Sequence, residues 1–103
     1  MEPGTVLACS WGYEQTNVDF YKVVARRGDW VTILPMTSVE TPDGPTSMTG
    51  RAVPGEDIPD AKPIRRKILQ FRTDPSFEPW VRIKSYSIAR DWDGQPCRTS
   101  GYA

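Results

Sequence analysis

The chain has 103 residues, and its 13 Lys and Arg residues balance 13 Asp and Glu residues, which gives a formal net charge of zero. This length suits one domain with a modest hydrophobic core. A neutral chain gives no support for a general electrostatic attraction to nucleic acid or to an anionic membrane. Histidine is absent, which excludes Ser-His and Cys-His catalysis and the usual zinc sites.

The ten prolines and eight glycines predict many turns and at least one long loop. The chain has no apolar run of transmembrane length, and residues 1–4 lack the basic and apolar regions of a signal peptide. We therefore expect a cytoplasmic protein. Cys9 and Cys97 have no metal-ligand spacing, and free thiols are the default in a reducing compartment, although a disulfide between them stays open.

Apolar runs separated by turn residues predict three strands in the first third of the chain, at 5–10, 18–25 and 30–34. Residues 11–16 are expected to form a loop. Gly28 can take the positive φ of a tight hairpin turn, and Pro35 is expected to end the third strand. Val23 and Val24 interrupt strict alternation, which predicts a bulge or a strand end covered on both faces.

The middle of the chain, residues 36–63, is rich in Thr, Ser, Pro, Gly and Asp and predicts a long loop. A brief edge strand at 51–54 is expected within it, because edge positions tolerate proline. Residues 64–71 fit a helix or a strand, and we choose a strand.

The last third begins with a clear strand over residues 80–88, in which Val81 and Ile83 face the core. The tail, residues 89–103, has too many turn residues for a strand and is expected to pack on the rest of the domain. The whole chain, 1–103, therefore predicts a single all-β domain of five to six strands, either a small SH3-like barrel or a curled antiparallel sheet. An OB-like barrel is the alternative.

The segment from Ser10 to Tyr21 concentrates aromatic and hydrogen-bonding side chains. Alternation along a strand places Val18 and Phe20 on one side and a polar row on the other. One interpretation is a recognition surface made of Tyr13, Gln15, Asn17, Asp19 and Tyr21. The other is a turn over residues 14–17 whose side chains bond their own backbone, with Trp11 and Phe20 as ordinary core.

Two segments, SWGYEQTNVDFYKVV and VRIKSYSIARDWDG, together resemble a family of small uncharacterised proteins from bacteriophages and other mobile elements. The family pattern is SWGY-x-QTN-x-DFY, a variable Pro/Gly-rich middle, an Arg/Lys-rich strand, and a closing SY and WDG followed by Tyr. The matching positions here are 10–21, 65–67, Ser85, Tyr86, 92–94 and Tyr102. The resemblance implies a viral accessory protein acting in a bacterial host, and it brings no enzymatic activity.

The residues themselves predict a protein that is not an enzyme and holds no metal or cofactor. Asp91 and Asp93 resemble the start of a calcium loop, but the fragment lacks the further ligands that such a loop needs. No nucleophile is accompanied by a base, and no glycine-rich phosphate loop is present.

What remains is a binding module, and its residues suit two partner classes. Exposed Trp, Tyr and Arg anchor protein interfaces, which favours a host or phage protein. Single-stranded nucleic acid is the alternative, because bases stack on aromatic rings while cations follow phosphates. No membrane is expected as a partner, and a homo-oligomer stays open. The predicted binding residues are Trp11, Tyr13, Gln15, Asn17, Asp19, Tyr21, Arg65, Arg66, Tyr86, Arg90 and Trp92.

We also expect residues 11–21 and 86–94 to lie against each other. Trp92 has no apolar neighbour in a tail of Asp, Arg, Gly and Ser, so it needs a remote partner, and Trp11 and Phe20 are the natural candidates. Asn17 and Asp19 are then expected to bond backbone groups or Arg90, because buried polar groups require partners.

Overall fold

The computed structural model describes residues 1–12, 16–45, 48–70, 78–85 and 87–100. Within these ranges the chain forms eight β-strands and no helix. The strands are β1 (Val6–Trp11), β2 (Asn17–Arg27), β3 (Trp30–Pro42), β4 (Thr49–Asp57), β5 (Ile64–Leu69), β6 (Trp80–Lys84), β7 (Ser87–Asp91) and β8 (Cys97–Ser100).

Six of these strands close into an antiparallel barrel in the order β2-β1-β7-β6-β5-β3, and β3 pairs back with β2. The two remaining strands extend from this ring, since β4 pairs with the second half of β3 and β8 pairs with β4. The all-β class and the small barrel are confirmed, and the barrel is compatible with an SH3-like fold. The described residues hold eight strands, however, where five or six were predicted.

Alternating side chains of the barrel strands fill its interior. Leu7 and Cys9 on β1 belong to one buried cluster, and Val81 and Ile83 on β6 join it. The predicted inward direction of Val81 and Ile83 is therefore confirmed. The other members are Tyr21, Val23, Val31, Ile33 and Ala89.

A second, smaller core covers the outer faces of β1 and β2. Val18 and Phe20 are buried there with Ala52 of β4. Thr16 and Ser100 exchange two backbone hydrogen bonds of 3.0 and 3.1 Å, so β8 closes over the start of β2. Side chains of both faces of β1 and β2 are thus taken out of water, which explains why these segments carry apolar residues at consecutive positions.

The hairpin between β2 and β3 has the predicted features. Gly28 in its turn has a φ of +61°, a conformation that glycine adopts without a steric cost. The pairing shifts register between Val23 and Ala25, and Val24 is exposed. The predicted bulge at Val23 and Val24 is therefore confirmed.

The predicted end of the third strand at Pro35 is wrong, because β3 continues to Pro42. Pro35 lies where one neighbour of β3 changes. The ladder with β5 ends at Ile33, and the ladder with β4 begins at Met36. Proline lacks a backbone N–H, and a position between two ladders is one that can lack this donor.

The predicted loop over 36–63 is also wrong, since most of it forms the second half of β3 and all of β4. The expected edge strand at 51–54 is part of β4. A register shift lies between Met36 and Ser38, and Thr37 supplies the bonds that the ladder loses there. Its hydroxyl accepts from the N–H of Glu56 at 2.7 Å and donates to the carbonyl of Glu56 at 3.1 Å.

The last third differs from the prediction in two places. Residues 64–69 are a strand, as chosen. The predicted strand over 80–88 is instead a hairpin of β6 and β7, and Ser85 lies in its turn. The tail, 89–103, is not free of strands, because it contains the end of β7 and all of β8. Turn residues at 92–96 separate these two strands, and because of these residues the composition of the tail did not predict a strand.

Candidate functional site

The barrel end that carries the first motif is held by a bond between two predicted site residues. The indole Nε1 of Trp11 donates to Oδ2 of Asp19 at 2.7 Å. Trp11 retains 36 % of its exposure, so it is not the core residue of the alternative interpretation. The expected bond from Asp19 to the tail is replaced by this bond to Trp11.

Two other members of the predicted polar row have different surroundings. Nδ2 of Asn17 is buried and has no hydrogen-bond partner in the part of the chain that the structure describes. Tyr21 is 8 % exposed and belongs to the barrel core. Burial, with smaller contributions from Asp19 and Cys9, raises the pKa of the Tyr21 phenol to about 12. Tyr21 thus lies in the barrel core, while Asp19, two residues earlier on β2, is exposed.

Arg66, also a predicted binding residue, is engaged in the barrel wall. Its Nε donates to the carbonyl of Arg82 at 3.0 Å, its Nη2 to that of Ile83 at 3.3 Å, and its Nη1 to that of Arg65 at 2.9 Å. The regular pairing of β5 with β6 covers just Ile68 and Leu69. The guanidinium thus joins the two strands beyond the end of their ladder, and it is not an open binding group.

Trp92 contacts the remote partner that the sequence required. Its ring meets Phe20 edge to face, with a centroid distance of 6.1 Å and an interplanar angle of 77°. Its backbone N–H donates to the carbonyl of Val6 at 2.8 Å, and its Nε1 donates to the carbonyl of Gln95 at 2.7 Å. The predicted contact between the two segments is confirmed through Phe20, whereas Trp11 bonds Asp19 instead.

Beside Trp92 lies a groove with a volume of about 380 Å³, which we call the Trp92 groove. Its apolar part includes Ile88, which is 40 % exposed. Arg90 is its one cation among the described residues, against three carboxylates, so the groove carries an excess of negative charge. The lining residues are Ala8, Ser10, Glu78, Ile88, Arg90, Asp91, Trp92, Asp93 and Cys97.

Both motif segments contribute to this groove, Ser10 from the first and Asp91 to Asp93 from the second. The pairing of β1 with β7, which sets Ala8 opposite Arg90, brings the segments together. The sequence predicted Arg90 and Trp92 as binding residues, but it did not predict Ile88 or the carboxylates. Ile88 points outward because it pairs with the exposed Arg82 across the β6–β7 hairpin. This direction could not be predicted from a sequence in which residues 80–88 were taken as one strand.

The two cysteines are free and lie in different cores, so they form no disulfide. Cys9 lies in the barrel interior, and Cys97 lines the Trp92 groove. Burial raises the pKa of both thiols, with a hydrogen bond from Ser87 acting in the opposite direction at Cys9. Raised pKa values make both thiols poor nucleophiles at neutral pH.

A second surface with binding chemistry lies elsewhere on the barrel and holds Arg65. The guanidinium of Arg65 lies 4.7 Å from the ring centroid of Trp30, which is 41 % exposed. Trp30 was read as the start of a strand and was not predicted as a site residue. Thus Arg65 and Arg66, neighbours in the sequence, have different roles.

Tyr13, Gln15 and Tyr86, which were also predicted to bind, lie outside the described residues. Among the residues that are described, no group of three or more metal-ligating side chains occurs. Within the same ranges, no helix has the length and apolar character needed to cross a membrane. Comparisons with family models, with curated proteins and with solved structures gave no match to this chain.

Proposed function

We propose that this protein is a non-enzymatic binding module whose partner is another protein, engaged at the Trp92 groove. The observation that carries the proposal is the composition of the groove, which combines apolar side chains with charged ones on a fixed sheet surface. Protein interfaces have this composition, with aromatic and aliphatic anchors beside polar groups. Phosphate groups are disfavoured here, because Glu78, Asp91 and Asp93 would repel them.

The charge of the groove also sets the chemistry of the partner. Three carboxylates against Arg90 favour a segment with Lys or Arg side chains next to an apolar residue that can contact Ile88 and Trp92. Trp92 is held on Phe20 and by its bond to Gln95, so the groove keeps its shape before binding. Such preorganisation lowers the entropy that association costs.

The resemblance of the two motifs to phage and mobile-element proteins supports a role as a viral accessory protein. The partner is then a host or phage protein in the bacterial cytoplasm. The same resemblance links the motifs to the groove, because Ser10 and the Asp91–Asp93 segment both line it.

The test is a capture experiment that compares two matched variants. Ile88→Ser removes an apolar side chain from the groove, whereas Ile58→Ser removes one of similar exposure that does not line it, 40 % against 38 %. A partner is isolated from a nuclease-treated bacterial lysate with the unmodified protein, purified, and titrated against all three proteins by calorimetry. We expect at least tenfold weaker binding for Ile88→Ser and unchanged binding for Ile58→Ser.

Equal affinity of both variants for the purified partner would contradict the proposal, since the groove would then be outside the interface. Loss of all capture after nuclease treatment would contradict it as well and would point to nucleic acid. Self-association is tested in parallel by sedimentation of the pure protein over a range of concentrations. A concentration-dependent mass that Ile88→Ser abolishes would identify a second copy of the chain as the occupant.

A further inference from the structure

A basic and aromatic surface lies on the opposite side of the barrel from the Trp92 groove. In the ring order β2-β1-β7-β6-β5-β3, the groove lies at β1 and β7, and the second surface lies at β3 and β5. The β1–β7 pair and the β3–β5 pair lie across the ring from each other, with one strand between them on each side, and no described residue lines both surfaces. The two surfaces are therefore independent, and binding at one leaves the other open.

The second surface, which we call the Trp30 face, follows from strand register. Trp30 lies between Arg27 of β2 and Lys67 of β5, so these three residues form one row across the strands. In the next row on the same face, Thr32 lies opposite Arg65. The alternate residues of β3, Val31 and Ile33, point into the barrel core, so Trp30 and Thr32 point outward.

The charges of the Trp30 face are not neutralised within the described part of the chain. Arg27, Arg65 and Lys67 make no ion pair there, whereas Arg26, which lies beside them, is paired with Glu2 at 2.9 Å. The concave part of the face has a volume of about 330 Å³ and no carboxylate in its lining. Lys67 lines a neighbouring concavity at the end of the barrel, and Asp29 is the one carboxylate among the described residues of that lining.

Arg65 is held in a position that suits a flat ligand. The ring of Trp30 attracts its guanidinium at 4.7 Å, an interaction that orders a side chain which would otherwise sample many rotamers. Arg65 is also exposed, and guanidinium planes stack on nucleic-acid bases. Arg27 and Lys67 flank the ring and are placed to meet phosphates on both sides.

We propose that the Trp30 face binds single-stranded nucleic acid, with a base stacked on the Trp30–Arg65 pair and phosphates at Arg27 and Lys67. Cations that exceed the nearby carboxylates in number, arranged around an exposed ring, match the alternation of anionic phosphate and flat base along a single strand. An acidic peptide would use the cations but not the stacked pair. The zero net charge of the chain does not oppose this binding, because three of the carboxylates lie at the Trp92 groove, on the far side of the barrel.

The test measures fluorescence anisotropy of a labelled oligothymidylate of about 12 nucleotides, a length within the site size of one small barrel. We expect log affinity to fall with log salt concentration with a slope of about 1.4, since the two phosphates at Arg27 and Lys67 each account for about 0.7 released counterions on a single strand. Lys67→Gln and Arg27→Gln should each lower this slope by about 0.7. Trp30→Leu should weaken binding about tenfold with its slope retained, because it removes stacking but no charge.

Arg51→Gln is the matched control, since Arg51 is an exposed arginine on β4, away from the Trp30 face. Arg51→Gln should leave both affinity and slope unchanged, and Ile88→Ser should do the same, which separates this proposal from the groove. Circular dichroism melts verify that each variant is folded. Equal effects of Lys67→Gln and Arg51→Gln, or no effect of Trp30→Leu, would overturn the proposal. Tighter binding of a polyglutamate peptide than of the oligonucleotide would also overturn it and would identify an acidic protein segment as the ligand.

Discussion

Tyr21 shows at the scale of one residue how a functional motif and a core can share a strand. Alternation correctly separated Val18 and Phe20 from Asp19 and Tyr21. It did not reveal that the strand face of Tyr21 turns into the barrel core at that residue. Tyr21 is buried in the barrel, and its pKa is raised to about 12. This motif residue therefore contributes to the barrel core.

The raised pKa of Tyr21 predicts an alkaline loss of stability. The phenol has a pKa of about 10 in the unfolded chain and about 12 in the fold, so above pH 10 the unfolded state loses its proton first. The free energy of unfolding is then unaffected by this group below about pH 10 and falls by roughly 2 to 3 kcal/mol as the pH rises towards 12. Urea titrations at closely spaced pH values measure this fall.

Tyr21→Phe is the control for this pH dependence, because it keeps the ring and removes the ionisable group. The variant should lose less stability than the unmodified protein between pH 10 and 12. Parallel curves for the two proteins over that interval would show that Tyr21 ionises as freely in the fold as in the unfolded chain.

At the scale of the element, the joint between β5 and β6 depends on Arg66. Its guanidinium donates to the carbonyls of Arg82 and Ile83 where the ladder has ended. We expect Arg66→Ala to lower the free energy of unfolding by about 2 kcal/mol, since hydrogen bonds to a charged donor are lost at the barrel wall. Arg66→Lys should recover part of this lost stability, because Lys keeps a charged donor. The recovery should be incomplete, because an ammonium cannot form the same forked set of hydrogen bonds.

Arg82→Ala is the matched control, since the Arg82 side chain is exposed and contributes its backbone carbonyl alone to this joint. It should change stability by less than about 0.5 kcal/mol. Thermal and urea unfolding of the three variants measure the differences. If Arg66→Ala were as stable as Arg82→Ala, the barrel would close without the guanidinium.

The elements that the sequence predicted well are those with regular alternation and a tight turn between them. β2, β3 up to Pro35 and the Gly28 turn belong to this group, and so does the inward face of β6. The elements that were predicted wrongly, the second half of β3 and all of β4, depend on long-range pairing. Pro35 is tolerated because it lies at a gap between two ladders, and the hydroxyl of Thr37 replaces ladder bonds that are missing at the register shift. Neither property is visible in local composition.

At the scale of the whole molecule, the sequence predicted that two distant segments meet, and Trp92 does pack on Phe20. It did not predict how charge divides between two sides of the barrel. A net charge of zero conceals an acidic groove beside Trp92 and a basic face around Trp30. That division depends on which strands are neighbours, and the predicted binding residues were therefore grouped into one surface where the structure has several.

The same division suits a module that holds two partners at once, since the groove and the Trp30 face lie across the ring from each other and share no lining residue. The Trp92 groove is the proposed contact site for a protein. Cys97 reports on it directly, because this thiol lines the groove while Cys9 is buried in the barrel.

The most direct measurement is the alkylation rate of Cys97 in the native protein, with and without a saturating amount of the purified partner. Peptide mass spectrometry follows Cys97 and Cys9 in one sample, so Cys9 serves as an internal reference for unfolding. The experiment is best run at mildly alkaline pH, because burial raises the pKa of the Cys97 thiol and the thiolate is the reacting form. We expect the partner to slow labelling of Cys97 by a factor at least ten times larger than the factor for Cys9, which slows only as far as binding stabilises the fold; an unchanged rate at Cys97 in the saturated complex would contradict the groove as the contact site.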